Sequence, residues 1–360
     1  MIKKFDRHIF GRLTGITLFV LGVLIFVFII FDFSEHSDEF TDRGATMGQI
    51  FGTYYLNYIP EMFRLVMPMA VFVAVLYLTG QLSERLEIIA LKAAGVSLYR
   101  LLAPYLVFAF LVAGAMFYLD GWVIPDANAK RIAFESRYLT DKSQRVDRNQ
   151  IYRQESENAL YRINYFNANE QVGYTIEVVN YAGDSLQSLT TIDRMRWAEG
   201  REQWVMYNIQ KRVFDSTGFT DFQTDSADTT LNILPRDITR TTSDIYQLTY
   251  PEAQNYIASI ERSGAGSVGL PKIQYYGRLA YPLSVIVITI VGFSIAAVRR
   301  KGGKAMYIAA GLAIAIIYLV FMKIMEPVGS KGAVDPAIAA LLPHLSFFVV
   351  GMGLLISARK

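Results

Sequence analysis

Six stretches without a charged side chain, at residues 13–31, 65–83, 101–119, 279–298, 305–322 and 336–358, constrain this chain more than any other feature. Each is close to the roughly 20 residues that carry a helix across a bilayer core. The chain is 52% hydrophobic and only 19% charged, and its mean hydropathy is +0.27. These numbers predict an α-helical polytopic membrane protein with six transmembrane helices and both termini on one side. The first window runs into Phe31-Asp32-Phe33-Ser34-Glu35 with no small-residue cleavage site, so it reads as a retained helix and not a signal peptide.

Cations near the span ends set the orientation. Lys3, Lys4, Arg7 and Arg12 precede the first window, and Arg85, Lys92 and Arg100 lie between the second and third. Arg299, Arg300, Lys301 and Lys304 fill the turn between the fourth and fifth, and Arg359 and Lys360 end the chain. All four groups agree on one side, which is therefore expected to be cytoplasmic. The net charge of +3 follows from this anchoring and gives no argument for nucleic acid. Cysteine is absent, which excludes a disulfide framework.

Residues 34–46 read as a polar loop and 47–59 as a tyrosine-rich interfacial helix that Pro60 breaks, with Glu61 and Arg64 spaced to pair and Pro68 bending the span that follows. Between residues 120 and 269 the texture changes. Leu160–Tyr165, Tyr174–Val178 and Trp204–Ile209 are rich in β-branched and aromatic residues between Asn, Gly and Asp clusters, and so read as strands. A small antiparallel sandwich or jelly roll is expected. Thr249-Tyr250-Pro251-Glu252 reads as a capping box opening a short helix to about Arg262, and residues 263–267 as a flexible hinge. The expected division is 1–125 for the first three spans, 126–268 for an inserted all-β domain and 269–360 for the last three spans.

The stretch from Gln81 to Arg100 sits between two spans yet is not composed like a solvated turn. On one continuous helix over residues 82–95, Leu82, Leu86, Ile89, Ala90 and Ala93 share a face. Glu84, Arg85, Glu87 and Lys92 fall opposite, with Ile88 and Leu91 embedded among them. Ser83 suits the N-cap, Gly95 the stop and Ser97 the next start. Apolar knobs ringed by charge suit a helix laid into a partner's groove, so Ile88 and Leu91 are the expected contacts.

This stretch, Glu87-Ile88-Ile89-Ala90-Leu91-Lys92-Ala93-Ala94-Gly95-Val96-Ser97, resembles the coupling helix of the lipopolysaccharide-transport permease family LptF/LptG. Phe5-Asp6-Arg7-His8-Ile9, and Leu341-Leu342-Pro343 with Phe347-Phe348, resemble the LptG branch more than LptF. The resemblance implies a permease subunit of an ABC-type exporter that extracts lipopolysaccharide from the inner membrane. It implies pairing with an LptF-like subunit, docking on a separate LptB-like ATPase dimer, and handing lipid to LptC- and LptA-like periplasmic proteins. It also implies a periplasmic jelly roll with a groove for acyl chains. The ATPase-coupling residues would be Glu84, Glu87, Ile88, Leu91 and Lys92.

No catalytic constellation is visible. The sole Gly-Lys pair, Gly303-Lys304, lacks the upstream glycine of a phosphate loop, and neither HExxH nor GxSxG occurs. The chain is read as no enzyme, and no cofactor is called for. Of the three histidines only His344 falls in an apolar window, where a helix–helix hydrogen bond is the simpler reading and a proton relay the sharper one. Arg64, Lys272, Arg278 and Lys323 lie at span ends on the side opposite the cationic anchors. They read either as snorkelling cations or as a basic rim that binds lipid phosphate among the membrane lipids. The alternative function is a membrane-anchored interaction protein that transmits ATPase-driven motion to periplasmic partners without moving lipid.

Overall fold

The computed structural model describes residues 4–139, 148–156, 158–167, 170–183, 185–198, 203–215, 218–229, 242–262, 268–298 and 303–359. The expected cationic turn at 299–302 and hinge at 263–267 lie outside them. The chain divides into two compact units. One comprises Met1–Thr140, Ile245–Tyr250 and Gly269–Lys360, and the other Asp141–Asp244 with Pro251–Val268.

The first unit is helical. Helix α1 (Lys4–Asp42) is followed by a single turn α2 (Met47–Gln49) and a π-helical turn at Ile50–Tyr55 that leads into α3 (Leu56–Glu84). The short α4 (Glu87–Ala93) precedes α5 (Leu98–Tyr118), which passes through a second π turn at Leu119–Val123 into α6 (Ile124–Tyr138). Among the described residues five helical runs can cross a membrane by length and composition: Lys4–Asp42, Met47–Glu84, Leu98–Glu135, Ala309–Ser330 and Pro336–Ala358. A sixth crossing requires α8 (Gly269–Ala280) and α9 (Leu283–Ala296) to count as one span bent by 52°. Pro282 lies in the break, where it can neither donate to the preceding turn nor leave Tyr281 a relaxed helical backbone. The last two spans belong to α10 (Gly303–Ser330) and α11 (Pro336–Arg359).

Two loop expectations give way to helix. Residues 34–42 continue α1, and Pro60 sits inside α3 without ending it. Tyr54 and Tyr55 of the tyrosine-rich stretch turn inward. They are 2% exposed, packed with Phe40 and Phe134, and their hydroxyls donate to Asp32 at 3.5 and 3.0 Å. The rings bury their apolar surface and Asp32 satisfies the hydroxyls.

The second unit is β. Strands β1 (Arg148–Ser156), β2 (Ala159–Asn167), β3 (Val172–Ala182), β4 (Ser185–Ala198), β5 (Gln203–Asp215) and β6 (Gly218–Thr229) form one antiparallel sheet in sequence order. The three strands read from sequence lie in β2, β3 and β5. The sheet is a plain meander, and among the described residues it has none of the crossovers of a two-sheet sandwich. One row of pairs is missing across all six strands, at Gln150, Asn164, Thr175, Asp193, Asn208 and Asp225. Thr175 and Asn208 in that row adopt left-handed backbones, with φ of +50° and +52°. Burial changes phase there: Ile163, Ile192 and Ile209 on one side join Phe166, Met195 and Trp204 on the other in one core. A strict period of two would have put the second set on the opposite face, so the row creases the sheet. The helix α7 (Tyr250–Arg262) follows as expected.

Candidate functional site

Two regions of the helical unit carry the candidate residues. The first is α4. Leu86 takes a left-handed backbone, φ +61°, which ends α3 and restarts the helix at Glu87. Such a conformation is costly for a residue with a Cβ. The helix then closes on Gly95, φ +84°, with Val96 N–H donating to Leu91 O and Gly95 N–H to Lys92 O, each at 3.0 Å. Ser97 caps α5 by accepting from Arg100 N–H at 3.3 Å, as its position predicted. Asp6 holds the same turn through two hydrogen bonds from Arg100, 2.8 and 2.6 Å long. This accounts for the acid in the N-terminal motif.

The break at Leu86 corrects the face assignment. Ser83 is the buried end of α3 and caps nothing in α4. Ile88 is 3% exposed and packs, with Leu91 beside it, among Leu82, Leu101, Tyr105 and Phe293. Leu86 and Ile89 are 43% and 48% exposed, and Ala90 and Ala93 are exposed with them. One continuous helix from 82 to 95 would have put Leu86 and Ile89 on the face of Leu82. The left-handed residue shifts the phase, so the two apolar faces exchange roles. Glu87 is exposed near Arg85 at 4.0 Å, Glu84 is half-buried, and Lys92 reaches Ala358 O at 3.5 Å.

The second region lies where α5 passes into α6. Asp120, 1% exposed, stands between Arg278 at 3.6 Å and Arg64 at 3.8 Å. Arg64 also meets Glu61 at 3.8 Å, Glu61 meets Arg131 at 3.2 Å, and Arg131 meets Glu135 at 3.5 Å. Three arginines and three carboxylates thus alternate from α8 through the π turn and α3 to α6. Arg278 is itself 1% exposed and donates to Ile245 O at 2.7 Å, Leu248 O at 2.8 Å and Asp120 O. Tyr250 covers this guanidinium, its ring centroid 5.1 Å away, and sits so close to Gly121 that a Cβ there would lie 2.7 Å from the ring. Burial pushes the hydroxyl pKa values of Tyr246 and Tyr250 up, so both stay neutral.

The four expected rim cations therefore separate. Arg278 is inside the protein, engaged by a carboxylate and three carbonyls, and does not form an open rim. Arg64 is largely buried between two acids and faces Tyr246 and Tyr281 at 5.5 Å each. Lys323 is 83% exposed beside Glu326, and Lys272 is half-buried on α8. A cavity of about 370 Å³ brings Arg64, Arg278 and Lys323 to one hollow among α3, α8, α10 and α11; Lys272 does not line it. His344 shares a hydrogen bond between α11 and α10 with Tyr318, the simpler of its two readings. Asp120 was missed by sequence reasoning. The signal was there: an acid inside the apolar run Leu119-Asp120-Gly121-Trp122-Val123-Ile124 is costly unless paired.

Fold and site define a polytopic membrane protein with an inserted β domain. Among the described residues no group of His, Cys, Asp or Glu could hold a metal. The family model described as "Lipopolysaccharide export system permease LptF/LptG" matches residues 7–357. The chain belongs to the LptF/LptG family. It is also similar to the "Lipopolysaccharide export system permease protein LptG" of Escherichia coli K12 and of E. coli O6:H1 CFT073. In each case it is 21% identical over 352 residues, covering 97% of both chains.

Proposed function

We infer that this chain is a non-catalytic permease subunit of a lipopolysaccharide exporter in a bacterial inner membrane, driven by a separate ATPase dimer of the LptB kind. Both termini and α4 face the cytoplasm in this reading, and the β domain faces the periplasm. The observation that carries it is α4: a short helix outside the apolar windows, clamped on its inner face and apolar on its outer one. Leu86, Ile89, Ala90 and Ala93 offer the ATPase an apolar strip beside Glu87, while Ile88 and Leu91 hold that strip on the bundle and Glu84 and Lys92 flank it. An LptF-like subunit completes the lipid cavity, and LptC- and LptA-like proteins receive the lipid. Lys272 and Lys323 are the cations placed to meet lipid phosphate, with Arg64 and Arg278 behind them keeping the helices in register.

The test is extraction of lipopolysaccharide from vesicles by the purified complex with ATP. Transport is expected, and Lys272→Ala with Lys323→Ala should lower it while ATP turnover persists. ATP turnover with no lipid leaving the vesicles would instead support a motion-transmitting interaction protein. Orientation is tested in the same material. A cysteine at Asn180 should react with an impermeant periplasmic reagent and one at Gly302 should not; the reverse pattern overturns the orientation.

A further inference from the structure

The start of α1 is tied to both sides of α4. Phe5, Ile9 and Leu13 fall within about 80° of arc on a helix, with Asp6 and Arg12 on opposite edges of that stripe. Each edge reaches a different helix. Arg12 donates to Gln81 Oε1 at 3.1 Å, in the last turn of α3. Asp6 accepts its two hydrogen bonds from Arg100, in the first turn of α5. These are the two helices that α4 joins, so α1 is wedged between the shoulders of α4 and pinned to each. Phe5 fills the wedge, bordering Glu87, Ile88 and Leu91 in the small hollow under α4.

Both ties reach the surface, where such pairs add little to stability. What they fix is where the end of α1 goes when α3 and α5 move. Beyond the wedge α1 is held sparsely. Its buried residues are Ile9, Leu13, Thr17, Leu21 and then Phe40, with none between 22 and 39. Near its far end Asp32 accepts from the Tyr54 and Tyr55 hydroxyls of the π turn. The 39 residues of α1 span about 58 Å at 1.5 Å per residue. Internal prolines interrupt α3, α5, α10 and α11, and α8 and α9 part at Pro282. Proline is absent from α1, which therefore lacks the commonest cause of a kink.

We propose that α1 is a connecting rod and that Asp6 and Arg12 are the positioning residues that join it to α4. Force from the ATPase on α4 tilts α3 against α5, and the two ties draw the start of α1 with them. The unbroken helix carries that displacement to Asp32 and the π turn at Ile50–Tyr55. Rod and ties rest on the ATPase docking proposed above. That docking uses the outer face of α4 and needs neither Asp6 nor Arg12, so the two can fail separately.

The chain has no cysteine, so spin labels can be placed singly at Phe31→Cys on α1 and Val349→Cys on α11, both exposed. Their separation is measured in the purified complex with its ATPase, without nucleotide and with ATP plus vanadate. In the otherwise unchanged chain it should shift by about 2 Å or more. Asp6→Ala with Arg12→Ala should abolish the shift while ATPase copurification and ATP turnover persist. Lipopolysaccharide extracted per ATP should fall about fivefold or more in that variant. Should the alanine variant melt early, Arg100→Asp alone must lose the shift and Asp6→Arg with Arg100→Asp must recover it. The proposal is overturned if the untied variant keeps the shift or the yield of lipid per ATP, or if the charge exchange recovers nothing. It is also overturned if the alanine variant loses the ATPase, because the ties would then serve docking. An ATPase that binds the unchanged chain without moving α1 overturns the rod alone, and one that does not bind overturns the docking and the rod together.

Discussion

Neighbouring isoleucines on α4 give opposite expectations, and the difference can be measured. Ile88→Ala removes three carbons from a side chain that is 3% exposed among Leu82, Leu101, Tyr105 and Phe293. At about 0.8 kcal/mol per carbon the transfer loss is about 2.4 kcal/mol. The cavity left behind raises it into the range of about 2–5 kcal/mol found for such truncations. Ile89 is 48% exposed, so Ile89→Ala should change fold stability by less than about 0.5 kcal/mol. In the proposed assembly the order inverts: Ile89→Ala should weaken ATPase binding about tenfold, the equivalent of about 1.4 kcal/mol, at normal membrane levels. The assays are thermal unfolding of the purified chain and copurification of the ATPase. A stable Ile88→Ala that loses the ATPase, beside a destabilised Ile89→Ala that keeps it, would refute the face assignment.

Asp120→Asn should destabilise the chain by about 3–5 kcal/mol, because it leaves the Arg64 and Arg278 guanidiniums buried without their shared counter-charge. Adding Arg64→Gln should restore part of the loss in the same melting experiment; if the two losses simply add, the residues are not coupled. In the β domain, Arg212 donates two hydrogen bonds to Asp221, at 2.8 and 2.9 Å, and holds that carboxyl below its ordinary pKa. Its contribution is therefore complete above the unfolded-state value of about 3.9 and lost as pH falls through the lower folded value. Protection of β6 amides, measured as exchange relative to the unfolded chain at the same pH, should fall in that acid window, and Arg212→Gln should remove that fall.

Much of this architecture was legible because it is set locally. The apolar windows needed only length and the absence of charge, and the strands only their β-branched and aromatic texture. What could not be read depends on single backbone conformations or on distant partners. Leu86 is an ordinary residue in a left-handed conformation, and nothing in its neighbours announces that. Its effect is to exchange the faces of α4, so Ile88, expected among the charges, is buried, and Leu86 and Ile89 are exposed. Thr175 is similar: a β-branched residue usually favours a regular strand, yet here it sits in the crease. The expected division at 125/126 takes no account of the partners of Asp120. Asp120, where the texture of the sequence changes, also belongs to the ion chain that ties α6 to α3.

That ion chain bears on how the basic residues should be weighed. A cation at a helix end is attractive as a ligand for phosphate when its own chain offers it nothing else. Arg278 is 158 residues from Asp120 in sequence, so no local inspection could have shown that it was engaged. Burying six alternating charges is seldom the most stabilising arrangement, since apolar side chains of equal volume often do as well or better. What alternation supplies is register. Sliding α3 against α6 or α8 would set arginine against arginine, and the pairs at Glu61 and Arg64 allow only one alignment. The same helix ends at the Leu86 break, so the alignment fixed at its Arg64 end also sets where α4 presents Leu86 and Ile89. Arg64 and Arg278 therefore position the helices, and in the proposed function lipid phosphate falls to cations such as Lys323 that remain at the surface.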